Sequence, residues 1–234
     1  EDGTVQSVLQ TLDIPYSGCG PISSGVCMDK DFTKRILKAN DVRTARWINV
    51  SSVEEIDYAK IEEMGYPVFI KPNSGGSSVA TFKVERKEDV EDAVRAGLEV
   101  DDIVMIEQYL PGEEYTSFVL DGEVYPTIRI SSPTGFFDFE SKYSTGANAA
   151  KEEVVYLEEE LQEQINKASK AVWDTFYCRA YVRADFILSN GTFYVLELNT
   201  LPGMTTTSLI PRSANAKGLS YSQLVDKIME TSLK

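Results

Sequence analysis

The sequence predicts an α+β protein, and three observations carry that prediction. Its strands come mainly as neighbours joined by short turns, at residues 115–120 and 123–130 around Asp121-Gly122 and at residues 181–199 around Ser189-Asn190-Gly191. Stretches with apolar residues at helical spacing, such as 88–98 and 157–177, are mixed in among those pairs. No internal repeat or low-complexity segment breaks the pattern.

Taken in order, residues 1–4 form a turn-like entry to an apolar-periodic helix at 5–12. Residues 14–18 read as a short strand and turn, and residues 28–37 as an amphipathic helix. A surface helix at 52–64 has Ser52 and Glu55 in capping-box spacing. A strand at 67–72 ends in Lys-Pro, a small-residue loop occupies 73–78, and a returning strand runs over 79–84. A helix at 88–98 and a strand at 103–106 lead into Glu107-Gln108-Tyr109-Leu110-Pro111-Gly112. Residues 136–150 read as an aromatic, acidic strand followed by a mobile loop. A long helix at 157–177, the second hairpin and a helix at 221–232 complete the chain.

Composition narrows the chemistry. With 234 residues, 42% hydrophobic and 26% charged, the chain can bury a core as one large or two modest domains. A net charge of −14 argues against nucleic acid as a partner, because phosphate backbones are bound by basic surfaces. Cys19, Cys27 and Cys178 form no CxxC and read as reduced thiols of a cytoplasmic protein. No apolar run is long enough to cross a membrane, and the N-terminus does not read as a signal peptide. The chain has no histidine, which removes Ser-His and Cys-His nucleophile systems and His-ligated zinc together. Carboxylates, lysines, arginines, hydroxyls and a metal remain.

The hairpin at 181–209 concentrates such groups. Val182, Ala184, Phe186 and Leu188 make one apolar face, to be matched by Tyr194, Leu196 and Leu198. That match predicts a three-residue turn, with Arg183 opposite Glu197 and Asp185 diagonal to it on the polar face. A two-residue Asn-Gly turn, the commoner connection, would send the two acids to opposite faces. Two carboxylates and the Asn199 amide oxygen on one side of a rigid hairpin suit a Mg²⁺ ion that takes its other ligands from water and phosphate. A lone pair of strand acids is more often a solvated face; here the strands are otherwise apolar, and a Pro-Gly turn leads into a Thr/Ser run. Upstream, Lys71 followed by Asn73-Ser74-Gly75-Gly76-Ser77-Ser78 lacks the G-K-[ST] ending of a P-loop, yet its backbone N–H groups, hydroxyls and ammonium can cover phosphates. Residues 106–112 break from a strand into a hinge that can offer edge groups to a purine. The three together read as phosphate cover, base hinge and metal.

At these residues the chain resembles the D-alanine–D-alanine ligases of the ATP-grasp superfamily. The resemblance rests on EDGTVQ (1–6), IPYSGCG (14–20), MDK (28–30), GYPVFIKPNSGGSSV (65–79), IEQYLPGEEYT (106–116), FESKYS (139–144), VRADF (182–186) and ELNTLPGMTTTSLIP (197–211), nearly end to end. It implies an ATP-grasp fold of two α+β subdomains with the nucleotide between them. Residues 1–29 would be the remnant of an N-terminal domain, 30–114 the central lid and 115–234 the C-terminal domain.

The resemblance also implies roles. Lys30 and Lys71 would hold ATP phosphates, with Ser77 and Ser78 in the covering loop; Glu107, Gln108 and Leu110 would face adenine, and Glu114 the ribose. Lys142 would contact the γ-phosphate region, Tyr143 and Ser77 would help close the site, and Asp185, Glu197 and Asn199 would bind Mg²⁺, with Mn²⁺ as an alternative. Arg183 and the Gly203 N–H would stabilise an oxyanion, and Ser208 with the Leu209 N–H would hold the carboxylate of the second D-alanine. The implied reaction phosphorylates one D-alanine and lets the amine of the second attack, in the cytoplasm, in a homodimer, and for peptidoglycan. Three departures stand beside this: family members carry a whole domain before EDGT, residues 152–161 lack a Pro-Ala pair, and Thr207 stands where a histidine is common. They leave two alternatives: a nucleotide-binding core without turnover, or a ligase whose acceptor is D-lactate or D-serine.

Overall fold

The computed structural model of the chain describes residues 1–131 and 151–233. Their strands form two antiparallel sheets. The first sheet contains β1 (Trp47–Val50), β2 (Val68–Pro72), β3 (Phe82–Val84) and β4 (Val104–Gln108), in the order β1-β4-β2-β3. Alternation in β2 buries Val68 and Ile70 against the helices Tyr58–Met64 and Val90–Leu98, and leaves Phe69 and Lys71 on the opposite face. Ile61, Val90, Val94 and Ile106 complete that core.

The second sheet runs β10-β9-β5-β7-β8, with β6 attached to β5. Here β5 is Glu113–Leu120, β6 Glu123–Val124, β7 Ile128–Ser131, β8 Lys151–Val154, β9 Tyr181–Ser189 and β10 Thr192–Asn199. The helix Glu159–Thr175 packs on this sheet through Ile165 and Val172, which meet Val182, Ala184 and Phe186. A separate cluster is built from Phe118, Leu120 and Tyr125 with Ile210, Ala214, Leu224 and Ile228 of the last two helices, Leu209–Ala216 and Tyr221–Ser232.

Several local expectations are corrected. Residues 14–18 form no strand; the helix expected at 28–37 runs over Lys30–Ala39, and a helix that was not expected, Pro21–Met28, precedes it. Asp29 between them is extended and caps the second by accepting from the Phe32 N–H. The 52–64 helix is a 3₁₀ turn (Val53–Glu55) followed by Tyr58–Met64, capped by Asp57. Glu55 instead accepts from the backbone N–H and hydroxyl of Ser51, so the Ser52 capping box does not form. The strand expected at 123–130 is interrupted at residues 125–127, where Pro126 has no N–H to give a ladder. The strand and loop expected at 136–150 lie outside the described residues.

The 181–199 hairpin holds the main correction. Its turn has two residues, not three: Ser189 pairs with Thr192, and Asn190 and Gly191 take φ of 49° and 74°. Two left-handed positions in succession suit Asn-Gly, since glycine bears no Cβ penalty there. In this register Phe193 and Val195 go into the core, and Tyr194 and Leu196 do not. A β-bulge then restores what the turn would have undone. Val195 pairs with Phe186 but Glu197 pairs with Asp185, so Leu196 is an extra residue and both acids face the same side. Arg183 lies opposite Asn199 rather than Glu197. The bulge is braced from outside the hairpin: the Val195 N–H donates to the Arg43 carbonyl at 2.8 Å, and the Thr44 hydroxyl to the Val195 carbonyl at 2.8 Å.

The strand-to-strand link between the sheets passes Gly112 against β9. A Cβ built there would lie 2.0 Å from the Leu188 carbonyl oxygen. Gly112→Ala is therefore expected to destabilise the protein by about 2–3 kcal/mol through backbone displacement. Urea denaturation checks this, and a loss under about 0.5 kcal/mol would contradict the close approach.

Candidate functional site

A cleft of about 510 Å³ opens between the two sheets. Every predicted site residue among the described ones lines it: Lys30, Lys71, Ser77, Ser78, Glu107, Gln108, Leu110, Glu114, Arg183, Asp185, Glu197, Asn199, Gly203, Ser208 and Leu209. Lys142 and Tyr143 lie outside the described residues. Phe69, Tyr115, Ile130, Ile187 and Leu196 add apolar wall. A large, partly apolar cleft with a few convergent charges is the usual form of a small-molecule site.

One wall is cationic. Lys71 points from the open face of β2, and its Nζ meets Glu107 Oε2 at 2.6 Å. Lys30 opens its helix and donates from Nζ to the Gly75 carbonyl at 2.8 Å; burial draws its pKa below the ordinary lysine range. The Asn73 side chain accepts from the Asp31 N–H at 2.9 Å and so fixes the 73–78 loop to the start of that helix. Within the loop Gly75, Ser77 and Ser78 all have positive φ. Such residues turn backbone N–H groups toward one side, a concavity that accepts anions.

Glu107 has different partners from those expected of an adenine-facing group. Its carboxylate is buried between two ammonium groups, Lys71 on one oxygen and Lys34 on the other. Burial alone would raise its pKa, but the charges and hydrogen bonds of Lys34 and Lys71 outweigh that and hold it down at about 2. Gln108 is also engaged, its Oε1 accepting from Arg46 Nε at 3.1 Å and its N–H donating to the Arg46 carbonyl. Leu110, just past the end of β4, lines the cleft where the chain leaves the first sheet.

The opposite wall carries the acids. Glu197 faces Asp185 across the strand pair. Asp185 accepts from Arg183 Nε at 2.9 Å and from its second nitrogen at 2.7 Å, a two-pronged ion pair. It also accepts from the Thr116 hydroxyl at 2.5 Å and the Asn199 amide at 3.0 Å. Among the described residues no three His, Cys, Asp or Glu side chains converge as a closed metal cage. Two carboxylates and an amide facing an open cleft are an incomplete, hard-oxygen set, and that is the donor set suited to Mg²⁺ shared with phosphate and water.

Beyond β10 the chain turns at Pro202-Gly203 and reaches Ser208, which caps the helix Leu209–Ala216 by position. The Ser208 hydroxyl accepts from the Thr205 N–H at 3.1 Å. A Cβ on Gly203 would lie 3.3 Å from that hydroxyl, so a small residue keeps this corner open. Arg212 steadies the segment by donating to the carbonyls of Thr207 and Glu152. A helix N-terminus at the cleft edge, with N–H groups unpaired by the helix, favours a carboxylate.

Sequence reading missed Lys34, Thr116, Arg46 and Glu152. Lys34 had one available signal, its place one helical turn after Lys30. The others are brought in by sheet pairing or tertiary approach alone.

The described geometry agrees with three comparisons. The profile of the family described as D-ala D-ala ligase C-terminus matches residues 36–230. A D-alanine–D-alanine ligase from Clostridium botulinum is 55% identical over all 234 residues of this chain, which span 77% of its own length. D-alanine–D-alanine ligase B from Clostridium perfringens is 52% identical over the same span. Among solved structures, the D-alanine–D-alanine ligase of Bacillus anthracis complexed with ATP superposes with a TM-score of 0.88 at 41% identity, over 100% of this chain and 75% of that one. The VanG D-Ala:D-Ser ligase from Enterococcus faecalis gives 0.87 at 29% identity, over 99% and 69%.

Proposed function

The chain belongs to the D-alanine–D-alanine ligase family, and from that membership we propose how its own residues divide the work of joining two D-alanines with ATP. It is an ATP-dependent carboxylate–amine ligase of the ATP-grasp fold, and its product, D-alanyl-D-alanine, serves peptidoglycan synthesis. The observation that carries the division of roles is the facing pair Asp185 and Glu197, set across one cleft from Lys71 and Lys30. In this reading residues 30–114 close over the nucleotide as a lid, and residues 115–234 carry the metal and acceptor side.

Lys30, Lys71 and the N–H groups around Ser77 and Ser78 hold the phosphates. The end of β4 at Gln108 and Leu110 meets the adenine with backbone groups, since the Glu107 carboxylate is committed to lysines. Glu114 takes the ribose. Asp185, Glu197 and Asn199 hold Mg²⁺ or Mn²⁺, which when bound neutralises charge on the transferring phosphoryl group. Thr116 and Arg183 keep the Asp185 carboxylate oriented. Arg183 and the Gly203 N–H then meet the oxyanion formed when an amine attacks the acyl phosphate. Ser208 and the Leu209 N–H seat the carboxylate of the attacking D-alanine.

Three measurements test this. D-alanine-dependent phosphate release, with D-alanyl-D-alanine as the product, is expected from the chain with MgATP. ATP binding without any such release would leave only the nucleotide-binding alternative. Competition among D-alanine, D-lactate and D-serine is expected to favour D-alanine; preferential use of another acceptor would overturn the assignment. Thr116→Val removes one hydrogen bond to Asp185, and turnover is expected to fall about tenfold, as for other groups that orient metal ligands. Unchanged turnover would deny Thr116 that role.

A further inference from the structure

We propose that Lys34 is a positioning residue of the ATP site, neutralising Glu107 so that the Lys71 ammonium presents its charge to the nucleotide phosphates. The inference rests on the reading of Lys71 as a phosphate ligand. Lys34 itself reaches nothing in the cleft, because its side chain is only 1% exposed. Its ammonium donates to the Thr44 hydroxyl at 2.7 Å and the Ala45 carbonyl at 3.1 Å, and forms an ion pair with Glu107 Oε1. Its Nζ also sits 5.2 Å from the Trp47 ring centre.

Glu107 is shared by two lysines, so the buried group carries one net positive charge. Lys71 is the member that reaches the cleft, with 15% of its side chain exposed. With Lys34 absent, Glu107 would cancel Lys71 alone, and that wall would offer phosphates a neutral pair. Apolar side chains in place of the whole Lys34–Glu107–Lys71 group would be about as stable, so core packing alone does not account for buried charges there.

Lys34 also reaches toward the metal side. Its acceptor Thr44 donates to the Val195 carbonyl, at the edge of the bulge that sets Glu197 opposite Asp185. The contacts Val195–Thr44–Lys34–Glu107–Lys71 thus join the two walls of the cleft behind its surface.

Calorimetric titration of MgATP into the full chain tests the charge argument, with Lys34→Met, Lys71→Met and the double variant Lys34→Met/Glu107→Gln. Lys34→Met is expected to weaken ATP about tenfold, the size of one charge-assisted contact. The double variant restores a single positive charge on Lys71 and is expected to bind within about threefold of the parent. A purely structural lysine would make the double variant no better than the single one. Unchanged affinity in Lys34→Met, or no recovery in the double variant, would overturn the inference. Lys71→Met separates the two levels: unchanged affinity there removes the phosphate reading itself, whereas loss there without loss in Lys34→Met sinks only the role of Lys34. If Lys34→Met fails to fold, the double variant decides alone, since a loss beyond about threefold relative to the parent contradicts the proposal.

Discussion

Replacing Asp185 and Glu197 together with alanine is expected to abolish Mg²⁺-dependent ATP binding and to lower ligase turnover by about three orders of magnitude, since a metal supplies several kcal/mol of charge stabilisation to phosphoryl transfer. The two residues face each other across β9 and β10, so no other carboxylate pair in the hairpin substitutes for them. Asp185→Ala has a second consequence, because it leaves the Arg183 guanidinium without its two-pronged partner. The pair is partly exposed, and the stability loss is expected at about 1–3 kcal/mol, below that of a fully buried ion pair. Thermal denaturation of the single variants separates that loss from the metal effect, because Glu197→Ala should keep the stability and still lose the metal. Unchanged nucleotide affinity in the double variant would contradict the metal assignment.

Glu107→Ala is expected to be the most destabilising single substitution in the cleft. It strands the Lys34 charge in a fully enclosed site beside Lys71. Removing one partner from a buried ionic group costs about 3–5 kcal/mol. The same group sets a pH dependence. Burial opposes ionisation of Glu107, yet the two lysines hold its folded pKa near 2 against an ordinary 4.5. A depressed carboxylate pKa stabilises the fold above the unfolded value and loses that contribution as pH falls through the folded one, here between about 4.5 and 2. The contribution is about 3 kcal/mol. The stability gap between the parent and Glu107→Ala should therefore narrow by about that amount over this interval. Urea denaturation at a series of pH values measures it, and a gap that stays constant would contradict the ionised, twice-paired carboxylate.

Much of this was legible in the sequence because it rests on local chemistry. The small-residue loop after Lys71, the strand break at 107–112 and the acids of the second hairpin are all set by short-range pattern, and they converge on one cleft. The α+β class and the closing helix Tyr221–Ser232 were also readable from periodicity. The hairpin register was not. Asn190-Gly191 favours a two-residue turn by itself, while facing the acids needs one more residue; the chain satisfies both by bulging at Leu196. That bulge is held by Arg43 and Thr44, more than 150 positions away, so no local pattern announces it.

Other elements were hidden for equally specific reasons. The helix Leu209–Ala216 contains Pro211, which reads as a breaker but sits in the first turn, where its missing N–H is not needed. The strands β1 and β8 have only four residues each, and the Lys-Glu-Glu-Val of β8 shows no apolar alternation. Lys34 reads as one more solvated lysine on an amphipathic helix until β4 brings Glu107 under it.

The most direct test follows one oxygen atom. If the first D-alanine is activated in this cleft as an acyl phosphate, one of its carboxylate oxygens leaves with the phosphate when the second amine attacks. With D-alanine labelled with ¹⁸O in the carboxylate, MgATP and the chain, the phosphate released is expected to carry one ¹⁸O for each D-alanyl-D-alanine formed. Dipeptide formed with unlabelled phosphate would contradict the account.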